Sequence, residues 1–363
     1  MKRTFVCGLW LVGAAWMASC GSSNEVKKGE PDAALPPPDA TLPPPDSSLE
    51  AAPDRAVVPP TWNDSRFFAI HTLSLGDTDR SGAPSPTAWK KYGRDIDGKT
   101  SVSTSTDHCR LKPGAPSKVK QDGDDGIDNS FGANIIPILT TAAPDLSKLA
   151  NDTIKVGTFT HIIHVSGLDG DATQSTTGLK GQLFEGAKLT SPPRWDGTDE
   201  WPVLPGTLAD GTLAGGSKTQ FNDASVKLGL FQGAAGTSFS LRLPLGDAEI
   251  VVPIDKAILS FQKPVNGVEA TGGTIAGVVN TARFNSEFLK MAGYISTTLC
   301  SASTAAQVTA QFAQASDIMS DGTNGDPTKE CDAISIGIGF TATALKPPTR
   351  VAPPPVQPPD PCR

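Results

Sequence analysis

From Ile334 to Phe340 the apolar side chains fall on every second residue, with Ser335, Gly337 and Gly339 between them. A period of two fits an extended strand rather than a helix and gathers the apolar residues on one face. The same period marks residues 226–230 and 239–243. Residues 248–261, interrupted by Pro253, and residues 274–279 continue it, and residues 153–165 are rich in β-branched side chains. Short strands with Gly, Asn and Asp between them predict a mainly β chain: an antiparallel β-sandwich or barrel-like domain with a few short α-helices.

Two helices are expected within this pattern. Residues 282–294 place Phe284, Phe288, Leu289 and Ala292 on one stripe, with Asn280 as the N-cap. Thr304 and Gln307 have capping-box spacing ahead of Val308, Phe312 and Ala315. Pro137 and Pro144 allow residues 135–149 at most a broken helix.

The two ends of the chain read differently. Lys2 and Arg3 precede a nearly unbroken apolar stretch, residues 4–18, shorter than the roughly 20 residues of a spanning helix. Met17-Ala18-Ser19-Cys20-Gly21 follows, so residues 1–19 read as a lipoprotein signal peptide cleaved before a lipidated Cys20. Several acyl chains on one cysteine anchor a protein far more firmly than a single chain does. Residues 20–60 contain ten prolines and repeat Leu35-Pro-Pro-Pro-Asp39 as Leu42-Pro-Pro-Pro-Asp46. Such a segment favours extended polyproline II and predicts a disordered stalk. Residues 347–363, with eight prolines, predict a similar tail, which leaves residues 61–346 to build the globular region as one large or two small domains. An exported chain anchored to the outer membrane is therefore expected, facing the periplasm or the surface; no aspartate follows Cys20 to signal inner-membrane retention.

Removing Lys2 and Arg3 takes the net charge from −7 to −9. An acidic chain without a basic cluster argues against nucleic acid as a partner. Of six cysteines, Cys7 lies in the removed peptide and Cys20 carries lipid, which leaves Cys109, Cys300, Cys331 and Cys362. An even number in an exported protein favours disulfides, with three connectivities open. The compact segment between them favours Cys300–Cys331, which leaves Cys109–Cys362. The first loop would contribute about 3–4 kcal/mol by chain entropy. No C-x-x-C or C-x-x-H pair supports zinc.

A search for catalytic motifs finds no G-x-S-x-G elbow, H-E-x-x-H helix or Walker A loop. His161 and His164 are three apart in an expected strand, so their side chains point to opposite faces and read as structural. The acidic loops carry more. Asp77, Asp79 and Ser81 place oxygens at positions one, three and five ahead of Gly82, the opening of an EF-type calcium loop, but Ala88 stands where its bidentate Glu belongs. Asp122, Asp124, Asp125 and Asp128 crowd four carboxylates into one loop, a repulsion that a cation would relieve. Calcium is the one cofactor expected, with a solvated turn as the competing reading; residues 321–326 read as a plain turn. Trp195 and Trp201 bracket a polar loop and are candidate sugar-stacking residues, or plugs for the end of the β structure.

Four stretches taken together resemble a family of uncharacterised surface lipoproteins from myxobacteria and their relatives. They are Leu75-Gly-Asp-Thr-Asp79, Ala88-Trp-Lys-Lys-Tyr-Gly93, the run Asp122 to Gly132 ending Ile127-Asp-Asn-Ser-Phe-Gly132, and Cys331-Asp-Ala-Ile-Ser-Ile-Gly337. The resemblance covers residues 67–344 and implies surface display but no activity. The Asp-Gly-Ile-Asp-Asn wording is also similar to one copy of a calcium-dependent thrombospondin type 3 repeat. The expectation is a calcium-stabilised lipoprotein with a non-enzymatic binding or structural role, its partner a glycan or envelope protein. The alternative is a glycan-acting enzyme or carbohydrate-binding module on a β-sandwich, with Asp196 and Asp199 or Glu200 as paired carboxylates.

Overall fold

Among the described residues, nine antiparallel strands form the frame of the domain. They are β1 (Ser65–Ser74), β2 (Thr160–Ser166), β3 (Thr176–Gly186), β4 (Thr219–Lys227), β5 (Leu230–Ala235), β6 (Phe239–Leu245), β7 (Ala248–Gln262), β8 (Glu269–Asn280) and β9 (Ala333–Leu345). The computed structural model describes residues 65–235, 238–245, 248–265, 267–355 and 361–362. The expected signal peptide, Cys20 and stalk lie outside the described residues.

Neighbouring strands run β5-β4-β3-β2-β1-β9-β8-β7, and β5 pairs with β7 to close an eight-stranded barrel. The ninth strand, β6, lies outside that ring, forming a hairpin with the first half of β7, from Phe239↔Ile254 onward. The second half of β7 joins the ring between β5 and β8. The changeover is a register shift between Asp255 and Ile258, where Lys256 has φ +51°. A bulge of this kind bends a strand and lets one strand serve two surfaces. Pro253, expected to interrupt this strand, instead pairs with Ser240 inside the hairpin.

An eight-stranded ring is just wide enough to be filled by side chains. Phe261 is the centre of that filling, 5.5 Å from Phe68, 4.9 Å from Phe231 and 6.4 Å from Phe340 between ring centroids. β9 shows the expected alternation, yet its Ser/Gly face is buried as deeply as its apolar face. The loop around Tyr92 lies on it so closely that a Cβ at Gly337 would stand 2.1 Å from the Tyr92 carbonyl oxygen.

Four helices cover parts of the ring: α1 (Ile136–Ala142), α2 (Leu146–Lys155), α3 (Thr281–Ile295) and α4 (Ala302–Gln314). The Asn280 side chain caps α3 by accepting from Arg283 N at 3.0 Å, as expected. Phe284 and Phe288 of α3 pack on Phe312 of α4, at 5.2 and 4.8 Å. α4 starts earlier than its capping-box spacing suggests, with Ser301 as N-cap, so Thr304 lies inside the first turn. Two strand expectations are corrected. Residues 153–155 are the last turn of α2, because Leu146, Ala150 and Ile154 make a buried helical stripe that outweighs β-branching. Residues 226–230 are a hairpin turn rather than one strand: Lys227 pairs with Leu230, while Leu228 and Gly229 take φ of +50° and +79°. Two successive positive φ values suit the twist of the flanking strands.

The cysteine pairing also differs from expectation. Cys109 is joined to Cys331 and Cys300 to Cys362, with Cα–Cα distances of 5.2 Å in both. The loop carrying Cys109 pairs with the segment leading into β9: Arg110 N donates to Lys329 O, and Cys331 N donates to Arg110 O. The described part of the proline-rich tail returns to the domain. Val203 N donates to Arg350 O at 3.0 Å and Ala352 N to Val203 O at 2.8 Å, and Cys362 fastens the tail to the turn after α3. Sequence compactness favoured Cys300–Cys331 only because it ignored this return.

Candidate metal centre

The run Asp128-Asn129-Ser130 faces β9 with its last two residues. Asn129 Nδ2 donates to the carbonyls of Tyr92 and Gly337, both at 2.9 Å, and its Oδ1 accepts from the N–H groups of Gly132 and Gly337. Ser130 N donates to Ser335 Oγ, and Ser130 Oγ to Ala315 O. Asp128 is left to face the loop at residues 94–99. Its N–H donates to Arg94 O at 3.0 Å, and its Oδ2 accepts from Ile96 N at 2.6 Å and Asp97 N at 3.3 Å.

That arrangement brings three carboxylates together. Ligand oxygens of Asp95, Asp97 and Asp128 all lie within 4.8 Å of one another. Asp95 Oδ1 caps Gly98 N and Asp97 Oδ1 caps Lys99 N, which fixes both side chains. The remaining oxygen of Asp97, Oδ2, is buried with no hydrogen-bond partner. Asp122 stands alongside, its Oδ2 accepting from Ser101 N at 2.5 Å. Among the described residues no salt bridge reaches Asp95, Asp97, Asp122 or Asp128; Lys99 turns away to pair with Asp107 at 2.7 Å.

The electrostatic result is strong. Burial, reinforced by the Asp97 charge and by Asp317 and Asp122, pushes the Asp128 carboxyl up to about 9. Burial, with Asp97 and Asp95 adding repulsion, pushes Asp122 up to about 7. Burial also raises Asp317 to about 7, although Ser335 N and Oγ both donate to it. A cation among these oxygens would replace the missing partner of Asp97 and relieve the repulsion.

The acidic residues expected as ligands fall into different surroundings. Asp128 belongs to the group of three and Asp122 stands beside it, whereas Asp124 and Asp125 are exposed and lie outside the group. Asp95 and Asp97 take their place. The pattern Asp95-Ile96-Asp97-Gly98 repeats the Asp-x-Asp spacing of residues 77–79 and was the available signal, but nothing in sequence brings it opposite Asp128.

The loop at Asp77, Asp79 and Ser81 is closed by hydrogen bonds of its own. Asp79 Oδ1 accepts from Ser81 N, Ser81 Oγ and Ala83 N, and these bonds hold the carboxyl below its ordinary range. Asp77 Oδ1 accepts from Ser147 Oγ instead. The Asp-x-Ser/Thr device recurs at Asp171, Asp196, Asp210, Asp321 and Asp326, each accepting from the N–H and hydroxyl two residues on. Most acidic loops of this chain are hydrogen-bonded turns.

The tryptophan pair does not form a sugar platform. Trp201 is fully buried in a small cluster with Ile162, Phe184 and Val203, and Trp195 is half-buried between it and His71. Asp199 accepts from Arg194 N and Trp195 N, Asp196 closes its own turn, and Glu200 accepts from Thr349 Oγ1. His161 and His164 are placed apart, as expected: His161 bonds Arg242 O at 3.0 Å, whereas His164 stacks on Phe67 and bonds Ser65.

Comparison with protein families, with curated proteins and with solved structures returns no match to this chain.

Proposed function

We propose that this chain is an exported, lipid-anchored surface or outer-membrane protein. Its barrel displays a loop layer held in place by calcium, in a non-enzymatic binding or structural role. The observation that carries the calcium reading is Asp97 Oδ2, a buried oxygen without a partner, among convergent carboxylates that no salt bridge reaches among the described residues. Calcium takes six to eight oxygens at about 2.3–2.6 Å, so ligands on opposite sides stand about 4.6–5.2 Å apart, a span that matches the cluster. The ion would tie the loop at residues 94–99 to the one at residues 122–130, which is bonded to β9. Two disulfides favour an oxidising compartment. The lipobox-like residues at Cys20 and the resemblance to surface lipoproteins support the anchor. The carboxylates that a glycan-acting enzyme would need at the Trp195 loop are engaged in local bonds, which weighs against that alternative.

The test is a thermal melt of the purified domain. Calcium at a hundredfold excess over Kd should raise Tm by roughly 4–5 °C for a domain of this size, and magnesium by less. The double variant Asp95→Asn, Asp97→Asn should lose that rise. An equal response to both ions, or none, would remove the calcium reading. Mass spectrometry of the mature N-terminus checks lipidation at Cys20.

A further inference from the structure

A cavity of about 810 Å³ opens between the β6–β7 hairpin, the end of β3, residues 202–206 and the C-terminal tail, where Pro353, Pro354 and Pro355 form one wall. Its volume is that of a small-molecule site, and its walls include Phe159, Leu204, Pro244 and Met291. Arg242 is set into these walls between two carboxylates. Arg242 donates through Nε to Glu185 at 2.9 Å and through Nη1 to Glu249, while its Nη2 makes no hydrogen bond among the described residues. Lys188 and Arg350 also line the cavity, exposed and without an ion pair among the described residues. Burial pushes the Glu185 carboxyl up to about 7, against the pull of Arg242, so near neutral pH the three cations outweigh the two carboxyls.

We propose that this cavity binds an amphipathic carboxylate, its chain against the apolar walls and its head on Arg242. Planar guanidinium and carboxylate are matched in geometry, and such charge-assisted bonds are the strong ones. Bond formation needs no rearrangement, because Glu185 and Glu249 already fix the guanidinium plane. An adjoining cavity of about 510 Å³ shares Glu185, Gly206 and Arg242, so the same head group is reached from both.

The probe is dodecanoate, below its micelle-forming range, displacing the dye 1-anilinonaphthalene-8-sulfonate from the intact protein; dodecyltrimethylammonium is the cation of equal chain length. Dodecanoate should displace the dye saturably at one site, and the cation should be weaker by about tenfold or more. Arg242→Gln should weaken dodecanoate by a similar factor. Because that variant leaves two carboxyls unpaired, Gly206→Trp is the second test: Gly206 lines the cavity, and a Cβ there meets no heavy atom within 4 Å. It adds an indole at the cavity wall without removing a charged group and should also weaken dodecanoate by about tenfold or more. Equal competition by the cation, no saturable displacement by dodecanoate, or unchanged binding in a folded Gly206→Trp variant would overturn the proposal.

Discussion

Asn129 and Gly337 exchange two hydrogen bonds, Nδ2 to carbonyl and N–H to Oδ1, each 2.9 Å long. The side chain thus pairs with a β9 residue as a neighbouring strand would, 208 residues away in sequence. Both groups of Gly337 are buried, so Asn129→Ala leaves them without partners. Each buried unsatisfied group costs about 1–3 kcal/mol, and the variant should lose about 3 kcal/mol or more. Urea unfolding measures it; a loss below about 1 kcal/mol would mean water replaces the amide.

Gly337→Ala should be among the most damaging single-methyl changes in the chain. Its Cβ would stand 2.1 Å from the Tyr92 carbonyl, a backbone atom that cannot move without shifting the whole loop. A loss beyond about 4 kcal/mol, or no soluble protein, is expected. Gly206→Ala, where nothing lies within 4 Å, is the control and should melt close to the parent. Similar melting of both variants would contradict the close contact at Tyr92.

Non-reducing peptide mapping should recover Cys109 with Cys331 and Cys300 with Cys362. Cys362→Ser should leave the barrel folded but make the tail beyond Val351 open to limited proteolysis at lower protease concentrations. A Cys300–Cys331 peptide would refute the pairing outright.

His161 provides the pH test. Burial lowers its pKa to about 4, against the raising effect of the Arg242 carbonyl bond, so the folded chain holds it neutral. An unfolded histidine takes its proton near 6.5. The contribution of the neutral ring is therefore complete above about pH 6.5 and is lost as pH falls from there to about 4, a swing of roughly 3 kcal/mol. His161→Gln keeps a donor for Arg242 O and removes the titration. The stability gap between parent and variant should shift toward the variant by about 2–3 kcal/mol between pH 7.5 and pH 4.5. An unchanged gap would show that His161 becomes protonated inside the fold.

Strands were legible where one face carries the pattern, as at residues 239–243 and 334–340, because alternation is a property of neighbours in sequence. The hairpin at Leu228-Gly229 was not, since its apolar spacing is continuous across the turn and only the positive φ values break it. At the candidate metal centre Asp128, with Asp122 beside it, was legible from local crowding. Asp95 and Asp97 were missed because their meeting with Asp128 depends on the Arg94–Asp128 bridge. The disulfides failed for the same reason. Polar neighbours left Trp201 open to two readings, exposed or plugging the β structure, and its ring packs inward with β2 and β3 residues.

The barrel has its seam in an awkward place. β1 is the first described strand and β9 the last, and they are direct neighbours, paired from Phe67↔Leu345 to Ser74↔Gly339. Loop-closure entropy makes such distant pairings slow to form. The ring cannot close until Leu345 has been synthesised, so every shorter nascent chain carries β1 with one edge unpaired. Those intermediates are the aggregation-prone species. Until that last described strand enters between β1 and β8, the open edge of β1 is a template on which another chain could add a strand.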